Sequence, residues 1–93
     1  AETEEFRAEL LALREHPPKT FYELLGIPPE ADMQTVRAAF FRNARRFHPD
    51  KLPPDLADLR DFVTTTFAKM GEAHQVLTDP AKRADYDRSL DQG

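Results

Sequence analysis

Arg45-Arg46-Phe47-His48-Pro49-Asp50-Lys51 is the stretch whose reading decides the fold. It closes a basic amphipathic run, Met33 to Phe47, and opens onto a second long helical pattern. Pro49 has no amide hydrogen and cannot continue a helix, and the residue before a proline is pushed toward extended backbone. The segment is therefore a stiff, charged turn between two helices that must lie antiparallel. At about 5% per residue type, a given tripeptide such as His48-Pro49-Asp50 arises by chance in roughly one chain in a hundred of this size. Its setting makes it informative. It reads as a docking tip, and nothing around it reads as a catalytic pocket.

Working outward, Asp32 is the expected N-cap of the helix before the turn. Val36, Phe40 and Phe47 form one stripe, flanked by Ala39 and Ala44. Arg37, Arg42, Arg45 and Arg46 fall outside it. After the turn, Lys51 to Asp55 is expected as a loop stiffened by Pro53-Pro54. A helix from Leu56 to about Leu77 then places Leu59, Val63, Phe67, Met70, His74 and Leu77 at spacings of three and four. Thr64, Thr65 and Thr66 weaken its local propensity, and Gly71 costs about 1 kcal/mol relative to Ala. Asp79-Pro80 reads as N-cap and first residue of a last helix ending near Leu90.

On the other side, Thr20 to Leu25 is a short helix with a capping box, Thr20 with Glu23, and Gly26 as its stop. Ile27-Pro28-Pro29 is an extended link. Thr3 to Glu15 reads as a further helix, with Thr3 as N-cap, Glu4 and Glu5 in the first turn, and Phe6, Leu10, Leu11 and Leu13 on its apolar side. His16-Pro17-Pro18 ends it. This helix either packs on the rest or is the tail of a preceding region. The divisions are thus 1–18, an N-terminal helix or linker, and 19–93, the main domain. No strand pattern and no internal repeat occurs, so the expected class is all-α.

Ninety-three residues with seven Phe and two Tyr make one small domain with a core. The first residue is Ala, which suggests a processed or excised fragment. The net charge of −4 is unevenly spread: residues 1–32 carry −5, residues 33–51 carry +4 and residues 52–93 carry −3. Overall acidity argues against non-specific nucleic-acid binding. The basic segment argues for one acidic partner surface. With no Cys there is no disulfide framework and no thiolate zinc site. His16, His48 and His74 lack ligand spacing, and three Gly do not make a phosphate loop. No metal or cofactor is expected, and no enzyme activity. No apolar run of about 18 residues exists to span a membrane.

Four blocks, in order, closely resemble the J domain of DnaJ-type co-chaperones. They are Thr20-Phe21-Tyr22-Glu23-Leu24-Leu25-Gly26-Ile27; Ala31-Asp32 with Val36-Arg37 and Ala39-Phe40; Arg45 to Lys51; and Glu72-Ala73-His74-Gln75-Val76-Leu77-Thr78-Asp79-Pro80 with Lys82-Arg83 and Tyr86-Asp87. The match covers roughly residues 19–88. The resemblance implies four helices, the second and third forming an antiparallel hairpin, so the N-terminal helix is an extra one. It also implies docking on the ATPase of a seventy-kilodalton (DnaK-type) heat-shock chaperone and acceleration of its ATP hydrolysis. The chain departs from the family pattern in places. Asp50 to Phe67 is several residues longer than in the commonest members, and the spacing Leu56-Leu59-Val63 assigns the excess to the third helix. Phe41 stands where many members carry a basic residue, Asn43 where an apolar one is usual, and His74 where Tyr is common. Residues 1–93 themselves hold no Gly/Phe-rich segment and no cysteine zinc module.

The expected partner-binding residues are His48, Pro49 and Asp50 at the tip, with Arg37, Arg42, Arg45, Arg46 and Lys51 facing an acidic patch on the chaperone. Pro49 limits the conformations of the turn. Asp50 offers a carboxylate for a charge-assisted bond to a partner Arg, and His48 can donate from a ring nitrogen. Phe41 is expected as a covered aromatic at the core edge, and His74 as a core histidine. Lys82, Arg83 and Asp87 are expected to tie the last helix to its neighbours. The expected state is a monomeric module of a larger cytoplasmic protein, without nucleic acid or membrane as partner. Two alternatives stay open: a J-like interaction module without chaperone coupling, and a DNA-binding helical domain with Met33–Lys51 as recognition helix.

Overall fold

The computed structural model describes residues 2–92. It contains α1 (Glu2–Glu15), α2 (Phe21–Leu25), α3 (Met33–Arg46), α4 (Arg60–Leu77) and α5 (Pro80–Gln92), with no strand among the described residues. The fold is all-α, the four expected helices with one more at the N-terminus.

Capping chemistry sets most helix ends. The Thr20 hydroxyl accepts the Glu23 amide at 3.1 Å and starts α2. Glu23 reaches back one residue further than the usual box and accepts the Lys19 amide at 2.6 Å. Gly26 stops α2 in the left-handed region, φ 73°, where a side chain would be strained. Asp32 accepts the Thr35 amide at 2.7 Å, and this bond holds its carboxyl below the usual range. Asp79 accepts the amides of Ala81 and Lys82 at 3.0 and 3.1 Å, ahead of Pro80. Thr3 does not cap α1; it lies within the helix, which already begins at Glu2.

The α3–α4 pair runs antiparallel, as its ring contacts show: Phe40 meets His74, and just beyond the end of α3, His48 meets Phe67. The buried stripe of α4 is Val63, Thr66, Met70, Ala73 and Leu77. Its strict alternation of three and four is the narrow seam of a helix packed between neighbours. Phe67 and His74, expected on that seam, sit only half-buried at its edge, where their rings face α3. Thr66 and Ala73 take the inner positions because smaller side chains permit the close approach of helices.

The expected loop and helix start also differ. Pro49–Lys51 is one 3-10 turn, and Pro54–Leu59 is a second, bent at Leu56 (φ −108°, ψ 18°) before α4 begins at Arg60. The extra residues of this region therefore do not lengthen α4. Pro53 and Pro54 forbid the amide bonds that a helix needs there. Leu56 and Leu59 are still buried, so the apolar spacing was sound and the backbone between them was not α-helical.

The core joins Leu10 of α1, Tyr22 and Leu25 of α2, Val36 of α3 and Leu56, Val63, Met70 and Leu77 beyond the tip. Asn43 sits at its margin and is satisfied: its side-chain amide donates to the carbonyls of Leu25, at 3.1 Å, and Ala39, at 2.8 Å. Leu25 ends α2, so its carbonyl lacks an intrahelical donor. An apolar residue at 43 would leave that carbonyl unserved. Gly71 has open space around a built-in methyl group. Gly71→Ala should therefore raise stability by up to about 1 kcal/mol, read as a higher urea midpoint with an unchanged slope.

α5 has no fully buried residue, and its half-buried aromatic, Tyr86, packs against the core. Polar bonds add to that contact. Arg83 donates through Nε to the Tyr22 hydroxyl at 3.0 Å and through Nη2 to the carbonyls of Pro29 and Ala31 at 3.0 and 2.6 Å. Tyr22 donates in turn to Asp87 at 2.6 Å. Burial and then the Asp87 bond push the Tyr22 phenol up from its ordinary value. Tyr86 stacks on Phe21 and accepts its amide at 2.8 Å. Arg83→Gln should cost about 1–3 kcal/mol by stranding part-buried acceptors. Amide exchange should then speed up in α5 before it does in α4.

Candidate functional site: the hairpin tip and the basic face of α3

α3 ends at Arg46, and Phe47 caps it by donating its amide to the Asn43 carbonyl. The buried ring of Phe47 roots the tip in the core. His48 is extended and leads into the Pro49–Lys51 turn. Its Nδ1 accepts the Asp50 amide at 3.2 Å, so neutral His48 keeps its proton on Nε2. The imidazole packs edge-on against Phe67 of α4, centroids 5.1 Å apart. His48 is thereby a clasp between the tip and α4. The Asp50 carboxylate lies 3.8 Å from Nδ1 and is 86% exposed. A rigid turn thus presents one carboxylate to solvent, with an imidazole at its base.

The five expected cations are not equivalent. Arg37, Arg42, Arg45, Arg46 and Lys51 are all exposed. Among the described residues, only Arg46 of these has an ion-pair partner, Glu9 of α1. Its guanidinium also lies over the rings of Phe6, at 5.7 Å, and Phe47, at 5.8 Å. Arg46 therefore fastens α1 to the end of α3, a role that a reading of α3 alone misses. Arg37, Arg42, Arg45 and Lys51 remain open to a partner. At about 100° per residue, Arg37 and Arg45 stand about 80° apart on the outward side of α3, and Arg42 lies about 60° beyond Arg45.

α1 is anchored beyond Arg46 as well. Leu10 is fully buried, and Phe6 packs against Phe47 at 5.6 Å. Arg7 donates to Asp58 at 2.9 Å and to the Asp55 carbonyl at 2.5 Å. That pair raises the Arg7 guanidinium and holds the Asp58 carboxyl below the usual range. Phe41, expected to be covered, is 57% exposed. His74, expected in the core, is half-buried and stacked on Phe40 at 4.3 Å. Phe67, expected on the apolar stripe of α4, lies half-buried against His48. No signal of periodicity separates a core Phe from a rim Phe one position away.

Among the described residues no group of His, Asp and Glu is arranged to hold a metal ion, and no helix is long and apolar enough to cross a membrane. What the tip and α3 can do chemically is accept a strong hydrogen bond and attract negative charge. The arrangement is a charged helical hairpin with an exposed carboxylate at its tip.

Residues 20–87 match the family model described as the DnaJ domain, and the chain belongs to that family. It is similar to a "Chaperone protein DnaJ" of Maricaulis maris, 41% identical over 70 residues, which are 75% of this chain and 16% of the relative. A "Chaperone protein DnaJ" of Brucella canis is 44% identical over 68 residues, 73% of this chain and 17% of the relative. "Chaperone protein dnaJ 20, chloroplastic" of Arabidopsis thaliana is 36% identical over 74 residues, 80% of this chain and 36% of the relative. The chain thus spans between about a sixth and about a third of the length of these relatives.

Proposed function

We propose that this chain is the chaperone-coupling module of a larger protein. It docks on the ATPase of a seventy-kilodalton, DnaK-type heat-shock chaperone through His48-Pro49-Asp50 and the open cations, and it speeds ATP hydrolysis there. The DnaJ domain family gives the co-chaperone role its general support. The observation that carries the finer reading is the tip itself: an 86% exposed Asp50 carboxylate on a turn fixed by Pro49 and clasped by His48 to Phe67. A carboxylate held this way binds a partner guanidinium without ordering a loop at the moment of docking. Arg37, Arg42, Arg45 and Lys51 set register and on-rate, because exposed charge steers encounter more than it adds affinity. The chain itself performs no step of the chemistry. It acts as a monomer, in the cytoplasm with the chaperone, and takes neither nucleic acid nor membrane as partner.

The test is single-turnover ATP hydrolysis by the cognate chaperone, with and without the 93-residue chain. Faster hydrolysis that saturates with added domain is the expected result. An unchanged rate at every concentration would sink the proposal.

A further inference from the structure

Phe41 is the one large apolar side chain on α3 that the fold leaves mostly in water, at 57% exposure. It does little for the core, yet it is not loose. Its ring lies 5.4 Å from Phe40 and 6.1 Å from His74, and Phe40 and His74 stack on each other at 4.3 Å. A backed aromatic of this kind loses little freedom when a partner covers it. Its neighbours one turn either way, at i−4 and i+4, are Arg37 and Arg45. Neither has an ion-pair partner among the described residues, and both are exposed.

We infer that Phe41 is the apolar anchor of the docking face. It enters an apolar recess on the chaperone ATPase that is rimmed by carboxylates, which Arg37 and Arg45 engage on either side. This rests on the function proposed above and adds the chemistry of the surface that α3 recognises. The charge row decides the occupant. An apolar ring between two unpaired guanidinium groups fits an acidic rim, and it repels a second copy of the same row. Anchors buried at the centre of an interface are typically aromatic or Arg, surrounded by groups that exclude water. An aromatic in a row of cations also trades part of the salt-sensitive attraction for contact area. Binding should then depend less on ionic strength than it would with Lys at this position.

The experiment measures binding of the 93-residue chain to the full-length cognate chaperone by calorimetry, alongside single-turnover hydrolysis, at low ionic strength and at about 0.15 M. Phe41→Ala should weaken binding about tenfold or more. It should leave the maximal stimulation at saturation unchanged, since the tip is untouched. Phe41→Lys should bind well at low salt and lose affinity more steeply than the intact chain as salt rises. Because position 41 is exposed, both variants should keep the parent's helical circular dichroism and unfolding midpoint. Binding by Phe41→Ala equal to that of the intact chain overturns the inference and leaves the proposed function standing. Failure of the intact chain to bind or stimulate overturns both. A concentration-dependent dimer that Phe41→Ala abolishes assigns the face to self-association and overturns the inference.

Discussion

Asp50→Asn should abolish most of the stimulation of ATP hydrolysis while leaving the domain folded. The substitution keeps the shape of the side chain and removes its charge. Asp50 is exposed; its backbone amide donates to His48 Nδ1, a bond that Asn retains, and its carboxylate only approaches that nitrogen, at 3.8 Å. Stability and helix content should therefore match the parent. The loss falls on the partner. A hydrogen bond to a charged group is worth about 1.5–3 kcal/mol, which converts to roughly 10- to 150-fold at 25 °C. If Asp50 engages the catalytic state more strongly than the resting one, the loss appears in the hydrolysis rate at saturation. If it engages both equally, the loss appears in the half-saturating concentration alone. The first outcome is expected, because the open cations of α3 can hold the complex together without the tip.

His48→Gln separates two roles of the imidazole. Gln can accept the Asp50 amide, so the local turn survives. It cannot reproduce the edge contact on Phe67. A fall in stimulation with an unchanged fold shows that the tip must be clasped to α4 to act. Phe67→Leu should then mimic His48→Gln although Phe67 lies outside the tripeptide. Full activity of both variants would assign the whole effect to Asp50 and Pro49.

Local chemistry was legible in the sequence. Thr20, Gly26, Asp32 and Asp79 act on atoms within four residues, and each occupies the terminus assigned to it. The four helices of the resemblance could be read for the same reason; the tie from α5 through Arg83 and Asp87 reaches Tyr22 across 61 and 65 residues and has no such local signal. Choices made between distant segments could not. Whether Thr66 or Phe67 faces inward depends on how closely α3 approaches α4, which a periodicity of three and four leaves open. Phe41 and Phe40 are adjacent in sequence and differ only in the side from which α4 arrives. On α3 alone Arg46 reads as a docking cation, because Glu9, its partner, is 37 residues away. Pro53-Pro54 did announce a break, yet not that the chain would resume as a 3-10 turn with Leu56 and Leu59 still buried.

Leu10→Ala is the second large effect, and it bears on what α1 is for. Leu10 is fully buried in the common core, although α1 lies outside the matched residues 20–87. Truncating a buried Leu to Ala removes its transfer free energy and leaves a cavity, at about 2.7–5.0 kcal/mol in a well-packed site. For a domain of total stability about 5–15 kcal/mol that is a large fraction. If α1 were a tail resting on the surface, the same change would be worth less than about 0.5 kcal/mol. Urea unfolding distinguishes the two directly. Arg7→Gln is the comparison, and it should do little, because the Arg7–Asp58 pair lies at the solvent-exposed margin and is screened. A large loss with Leu10→Ala and a small one with Arg7→Gln shows that apolar burial, not the ion pairs, seats α1. The same experiment reaches function through Arg46. With α1 loosened, Glu9 and Phe6 no longer hold that guanidinium, and a further cation joins the open face of α3. At a temperature where the variant stays folded, its binding to the chaperone should become more salt-dependent than the parent's. An unchanged salt dependence would mean that Arg46 stays tied to Glu9, or that the partner never reaches it.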